Sequence, residues 1–460
     1  MIQRIMGIET EYGVACSDLS GAHVDRDVAD VTAQIFADMQ ARTGATSAFL
    51  GNGGRLYLDI GDHPEYATAE CTQLADVLAQ DRAGDQMLAQ MALDAEPRLS
   101  APDAPVRVHL FKNNVDAASH SYGCHENYLV RRRLDFMDRL NNLVPFLVSR
   151  QLLVGAGYVH REPGTVRFEL SQRARHMHGA ISTSSTRTRP MINTRDEPHA
   201  DSEHYRRMHV IVGDSNMSES ATLLKVGMTC AVLNVMESGV RLPAVSLADP
   251  MDAIRRIARD PSGKATLQLE NGSVTSACDI QRAVFDTVAG HYDREGWLDA
   301  SDPLMLRVFD LWSRALDAFS SGDFSHVHTE LEWVAKYELI TRYRHRYGVA
   351  LSDDRISRLE LAWHDISPAG LRPRLESTGV LRRVLRDDDV AAALVDPPMT
   401  SRARIRSAFI KAAQDHRRGY AVDWGLVRLF NEGTGTTIHL DDPFAVADTV
   451  VDALIDSMEA

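Results

Sequence analysis

A chain of 460 residues, 44% hydrophobic and 25% charged, has the balance of an ordinary folded protein with room for one large or two unequal domains. Its net charge of −14 argues against general nucleic-acid binding, which rests on neutralising phosphates, but leaves room for a local basic pocket. The five cysteines are scattered with no CxxC pair, the start carries no signal-peptide pattern, and no apolar run is long enough for a membrane, so we expect a cytoplasmic protein without a zinc module or disulfide framework.

Residues 4–14 predict a strand with Glu9 and Glu11 on one face. Val31, Ile35, Phe36 and Met39 place a helix over residues 27–43. In residues 55–60, apolar Leu56, Leu58 and Ile60 alternate with Arg55, Tyr57 and Asp59, the pattern of a half-buried strand. A turn over residues 61–64 follows, and then Glu65 and Glu70. Residues 74–99 predict a helix and residues 106–111 a strand. A loop at residues 112–114 leads to the cluster His125-Glu126-Asn127, and helical stretches flank Pro145. Residues 166–170 and 208–212 are strand candidates, the latter with Arg207 and His209 facing away from the core. Residues 226–236 read as an amphipathic core helix. After residue 300 the pattern is helical, over 304–319, 331–347 and 356–363. Beyond Asp396-Pro397-Pro398 we expect a helix at 401–414, a strand at 420–424 and a final helix from Pro443. The sum is an α+β fold around an antiparallel or mixed sheet, with one domain over residues 1–390 and a small C-terminal domain over 391–460.

The chemistry concentrates on one sheet face. Glu9, Glu11, Glu65 and Glu70 form a hard-oxygen set suited to Mg²⁺, an ion commonly held by a few carboxylates and substrate phosphates. Arg55, Arg207 and Arg195 are cations able to stabilise a transferring phosphoryl group. No GxxxxGK[ST] loop is present, so an ATP site has to be built on the sheet itself. The competing reading is a solvated sheet face with an ordinary surface pair. His125 and His209 are more often structural in such contexts, residues 195–201 read equally well as a solvated loop, and Cys71 and Cys124 read as small buried residues. No Ser-His-Asp order supports covalent hydrolysis.

Several of these segments resemble one family. IMGIETEYG (5–13), LYLDIGDHPEYATAEC (56–71), SYGCHENYL (121–129), INTRDEPHAD (192–201) and YRRMHVIVGDSN (205–216) are similar to the Pup–protein ligases, the proteasome accessory factor A family. The likeness continues to Val422-Asp423-Trp424. It implies a fold like that of glutamine synthetase and the γ-glutamyl–cysteine ligases: a curved sheet cradle backed by helices, plus a small C-terminal domain. The implied reaction uses ATP to phosphorylate the γ-carboxylate of the C-terminal Glu of Pup, a small disordered modifier. A lysine of a target protein then attacks, forming an isopeptide bond that marks the target for the proteasome.

The resemblance implies Mg²⁺ ligands at Glu9, Tyr57 and Glu65, nucleotide contacts at Arg55, Thr68 and Trp424, and a proton acceptor at Asp59. Arg207 is nominated by the sheet-face argument as a phosphate contact. The sister depupylases and Pup deamidases share most motifs. The spacer Ile60-Gly61-Asp62, Ile8 and Thr10 in the first motif, and the short connection between the first two strands favour the ligase over that sister and over a catalytically silent Pup-binding adaptor. Departures from the family pattern at residues 367–370, at His328 and over residues 173–181 fall on expected partner surfaces or supports rather than on the metal face. Pup is expected in a groove between the sheet domain and the C-terminal helices that leads to Asp59. Residues 342–347 (RYRHRY) are either a contact there or a solvated helix face.

Overall fold

The strand that carries Arg55 and Tyr57 forms as its alternation dictates. In Arg55–Leu58, Leu56 is buried while Arg55 and Tyr57 lie half-buried on the other face. The computed structural model describes residues 2–59, 61–116, 120–183, 189–431 and 434–458; Ile60 of the expected strand lies outside them. Among the described residues the large sheet has eight strands, in the spatial order Gly179–Ser182, Pro190–Asn193, Tyr205–Val210, Cys124–Arg131, Met6–Glu11, Pro64–Ala67, Arg55–Leu58, Ser47–Phe49. Among the described strands only the Gly179–Ser182 and Pro190–Asn193 pair is parallel. This is the expected α+β architecture around a mixed sheet.

Several boundaries differ from expectation. Residues 4–14 are two strands in two sheets: Met6–Glu11 lies in the large one, and Gly13–Ser17 joins His23–Val24 and Arg107–Phe111 in a small one. Tyr12 makes the switch. Its N–H donates to the Pro64 carbonyl at 2.9 Å, and its buried hydroxyl donates to Asp85 at 2.7 Å, so the chain is anchored between the sheets. Pro64–Ala67 is buried throughout, which hides the alternation that marks a strand. Thr165–Glu169 forms a separate hairpin with Tyr158–Glu162.

Pro145 does not divide two helices. One helix, Phe136–Val154, runs through it, and Leu143 to Val154 are all buried. Tertiary burial outweighs the lost hydrogen bond, which in an isolated helix costs about 3 kcal/mol. The helix Glu219–Glu237 is likewise buried from Glu219 to Met236 on every side rather than amphipathic. Its polar groups find partners inside: Lys225 donates to the Asp214 carbonyl at 2.7 Å, and Asn234 accepts from Arg4 at 3.0 Å. It packs against Leu74–Leu99, Phe136–Val154 and Pro303–Ser321 in the helical layer behind the sheet.

At the C-terminal end, Ala403–Asp415 and three strands, Tyr420–Asp423, Leu426–Asn431 and Thr434–His439, enclose a separate apolar cluster around Phe409, Val427, Leu429 and Val451. The last helix starts at Thr449, not Pro443, because the Asp448 side chain caps the N–H groups of Val450 and Val451. Residue 391 lies inside the helix Asp387–Val395, whose Val390 and Ala393 pack into the main core.

One pair behind the sheet shows how parity sorts the His125-Glu126-Asn127 cluster. Glu126 points away from its neighbours into the core and accepts two hydrogen bonds from Arg150, at 2.6 and 2.7 Å. Their side chains are 0% and 1% exposed. Glu126→Leu strands the Arg150 charge and is expected to cost about 3–5 kcal/mol in denaturant melts. Replacing both, as Glu126→Leu with Arg150→Met, should recover most of that loss.

Candidate active site

Antiparallel register sets the polar face in transverse rows. His125 lies opposite Glu9, Glu9 opposite Ala67, and Ala67 opposite Arg55. In the next row Glu11 lies opposite Glu65, and Glu65 opposite Tyr57. On the other side of His125's strand, Asn127 lies opposite His209. Directly opposed residues share a face, so acids, phenol, imidazoles and guanidinium are brought together from separate parts of the chain.

Glu9 is the hub. Its carboxylate accepts from Asn127 at 3.0 Å and lies 3.3 Å from His125 Nδ1, 3.5 Å from Arg207 Nη1 and 3.7 Å from His209 Nε2. Burial alone would raise its pKa, but the His125 hydrogen bond and the charges of His209, His125 and Arg207 hold it well below the usual carboxylate range. His209 is itself pushed down to about 3, first by burial and then by His125 and Arg207, although Glu9 opposes this. At neutral pH it is therefore an uncharged imidazole, and its buried Nε2 has no hydrogen-bond partner among the described residues. Arg207 also donates to Asn127 Oδ1 at 2.9 Å, which fixes its guanidinium beside Glu9.

Glu65 behaves oppositely. Burial, then the charges of Glu9, Glu11 and Asp59, push its pKa well up, although a hydrogen bond with Tyr57 opposes this. Burial and the Glu9 and Glu65 charges likewise raise the Tyr57 phenol. Such crowding of acids is the condition a divalent cation relieves. Glu11, Glu65 and His125 can each bring one donor atom within 4.8 Å of the others, as can Glu9, His125 and His209. The donor chemistry and the unpartnered His209 nitrogen fit a bound metal ion.

Arg55 sits at the far side of the face, 4.8 Å over the Tyr57 ring and 5.5 Å over the Phe49 ring, bonded to Ser47 at 3.0 Å. Among the described residues it makes no ion pair, so its charge is free for an anion. Asp59 follows the strand and is half-buried. A tight turn holds it: its N–H donates to the His63 carbonyl at 3.0 Å, and its carbonyl accepts from Asp62 N–H at 3.1 Å. That turn requires left-handed backbone at Gly61 and Asp62, with φ of 98° and 62°.

Beside the acids lies an apolar pocket. Gly7, Ile8, Thr68, Pro198, His199 and Trp424 line it together with Glu9 and Arg207. The Thr68 hydroxyl accepts from Ile8 N–H at 3.1 Å, and a Cβ at Gly7 would meet that hydroxyl at 3.0 Å. Trp424 stands edge-on to Phe49 at 4.9 Å. The shape suits a flat ring with an anionic tail.

Each residue expected from the family pattern thus lies on this face or in this pocket. Glu70 and Arg195 do not belong to the acid and cation set. Glu70 is buried against Arg402 and Arg406, and Arg195 is exposed and paired with Glu197 at 2.7 Å. His125 and His209, read as more often structural, stand against Glu9. Their signal was present: His125 and Asn127, like Arg207 and His209, alternate with residues that face the core. Arg402 and Arg406 carried no local signal at all.

The Pup-ligase protein family matches residues 4–428. Over 460 residues the chain is 48% identical to the Pup–protein ligase of Xylanimonas cellulosilytica, covering 100% of both chains. It is 46% identical over 459 residues to that of Nocardia farcinica, again covering 100% of each. Among solved structures it is similar to the ligase PafA in complex with the prokaryotic ubiquitin-like protein Pup, with a TM-score of 0.93 and 40% identity, covering 99% of this chain and 91% of that one. It is also similar to PafA in complex with ADP, with a TM-score of 0.85 and 40% identity over 95% of each chain.

Proposed function

This chain belongs to the Pup-ligase family, and from that premise we propose how its sheet face performs ATP-dependent attachment of Pup to lysines of target proteins. The observation that carries the reading is the adjacency of the acid cluster at Glu9, Glu11 and Glu65 to an apolar pocket walled by Trp424, with Arg207 at their junction.

The adenine ring and ribose occupy the pocket against Thr68 and Trp424, and the phosphates lie over the acids toward Arg55 and Arg207. Glu9, Tyr57 and Glu65 would hold Mg²⁺, which would supply positive charge to offset that of the phosphates and the crowded carboxylates. An oxygen of the Pup Glu γ-carboxylate attacks the γ-phosphorus and ADP leaves. The resulting acyl phosphate is attacked by the lysine nitrogen, the C–O bond to phosphate breaks, and the proton passes to Asp59. A lysine amine has an ordinary pKa of about 10.4 and is protonated at neutral pH, so a carboxylate at the rim has work to do there. Arg55 and Arg207 offset repulsion between the anionic reactants.

The division into a catalytic domain over 1–390 and a small C-terminal domain over 391–460 belongs to the same reading. The separate cluster around Phe409 and Val427 supports a small C-terminal unit, while the helix Asp387–Val395 crosses the 390/391 boundary and packs Val390 and Ala393 into the main core. No helix among the described residues is long and apolar enough to cross a membrane, and a cytoplasmic location is part of the proposal.

Incubation with ATP, Mg²⁺, Glu-ended Pup and a lysine-bearing target is expected to yield a covalent conjugate and ADP. Cleavage of pre-made conjugate without formation of new conjugate would identify a depupylase instead.

A further inference from the structure

Glu70 lies three residues beyond the strand Pro64–Ala67, yet bounds the same pocket as Glu9. Its carboxylate is fully used. Oε1 accepts from Arg402 Nε and from Arg406 Nη1, each at 2.9 Å, and Oε2 accepts from Arg406 Nη2. Burial would raise its pKa, but the two guanidinium charges outweigh this and hold it at about 2. Both arginines are buried, Arg406 completely. They stand four residues apart at the start of the helix Ala403–Asp415, so both reach one carboxylate.

Their remaining donors do something a stabilising ion pair does not require. Arg406 donates to the Trp424 carbonyl at 3.0 Å and to the Gly53 carbonyl at 2.9 Å. Its guanidinium lies 5.2 Å from the Trp424 ring and 5.0 Å from the Phe49 ring. Arg402 donates to the His199 carbonyl and, at 2.6 Å, to that of Leu440. Four carbonyls are therefore tied through the two arginines to one buried carboxylate: those of His199 and Trp424, which line the pocket, and those of Gly53 and Leu440. Guanidinium alone supplies enough fixed, planar donors for this; an ammonium has no fork and cannot stack.

We infer that Glu70, Arg402 and Arg406 are positioning residues for the nucleotide, holding Trp424 and the His199 wall in place so that the helix Ala403–Asp415 sets the affinity for ATP. This rests on the nucleotide reading of the pocket. A purely structural ion cluster would lower stability without selecting one substrate.

The test compares the full-length enzyme with Glu70→Gln, Arg406→Lys, Trp424→Ala and a control, Glu330→Gln. Glu330 is a buried carboxylate held by Arg314 at 3.0 Å and Arg307 at 3.3 Å, and it does not line the pocket. The readouts are KM for ATP, KM for Pup, Tm, and tryptophan emission on adding ADP. Glu70→Gln and Arg406→Lys are expected to raise KM for ATP about tenfold while leaving KM for Pup within about twofold. Both should blunt the ADP-dependent change in emission, and the control should lower Tm with KM for ATP unmoved. Should Glu70→Gln not fold, Arg402→Lys, which leaves the Arg406 pair in place, carries the same comparison. The inference is overturned if Trp424→Ala raises KM for ATP but the Glu70 and arginine variants change only Tm. If Trp424→Ala also leaves KM for ATP unchanged, the nucleotide reading of the pocket fails and the inference falls with it.

Discussion

Asp59→Asn should abolish conjugation while leaving nucleotide binding intact, with the rate of isopeptide formation at pH 7.5 falling by about 10²–10⁴-fold, the usual worth of a positioned proton acceptor. The substitution is nearly isosteric, and Asp59 is held in its turn by backbone hydrogen bonds to the His63 carbonyl and the Asp62 N–H, so the fold is expected to persist. The loss should shrink as pH rises. Without the carboxylate, only lysine that has already lost its proton can attack, and that fraction grows about tenfold per pH unit below the amine pKa of about 10.4. Wild type, supplied with its own acceptor, should show the shallower profile. Single-turnover conjugation from pH 7 to 9, alongside ADP affinity, checks both parts. A variant within about threefold of wild type at pH 7.5 would remove Asp59 from the mechanism.

Glu65→Gln is expected to separate stability from activity in opposite directions. Glu65 is buried among Glu9, Glu11 and Asp59, and its pKa in the folded protein is raised above the unfolded value of about 4.3. The folded state therefore binds the proton more tightly. This contribution to stability is fully present below the unfolded pKa and is lost as pH rises through the folded one. Metal-free Glu65→Gln, which mimics the protonated acid, should match wild type near pH 4 and melt higher than wild type at pH 7.5. Conjugation should fall by about 10²-fold or more, because one oxygen ligand loses its charge. Mg²⁺ at about 100 times its Kd should stabilise wild type by about 2.7 kcal/mol and the variant by far less. Thermal melts with EDTA and with Mg²⁺ read both effects, and equal Mg²⁺ stabilisation of the two proteins would take Glu65 out of the metal site.

What could be read locally follows the two backbone periods. Leu74–Leu99 and Val28–Thr43 were legible because apolar residues recur at helical spacing, and Asp27 caps the second as its side chain allows. The face of Arg55 and Tyr57 was legible because Leu56 between them is apolar. Where both faces are buried, as in Pro64–Ala67 and Glu219–Glu237, the pattern vanishes and the element or its burial is misread. Pro145 shows the converse, a strong local breaker overruled by burial on all sides.

By itself, the sequence determined which residue types share a strand face, and its long motifs carried the family and the expected roles of Asp59, Glu65 and Trp424. Read from residue types alone, without the family motifs, Glu65 and Glu70, two acids five residues apart, fell into one set. Only the tertiary structure put one among carboxylates, where its pKa rises, and the other between two arginines more than three hundred residues away, where its pKa falls. The physical reason is that a carboxylate's chemistry is set by the charges and solvent around it, and cross-strand register and long-range docking choose those neighbours. For Glu65 the neighbours came from cross-strand register, and for Glu70 from the two arginines at the start of the helix Ala403–Asp415.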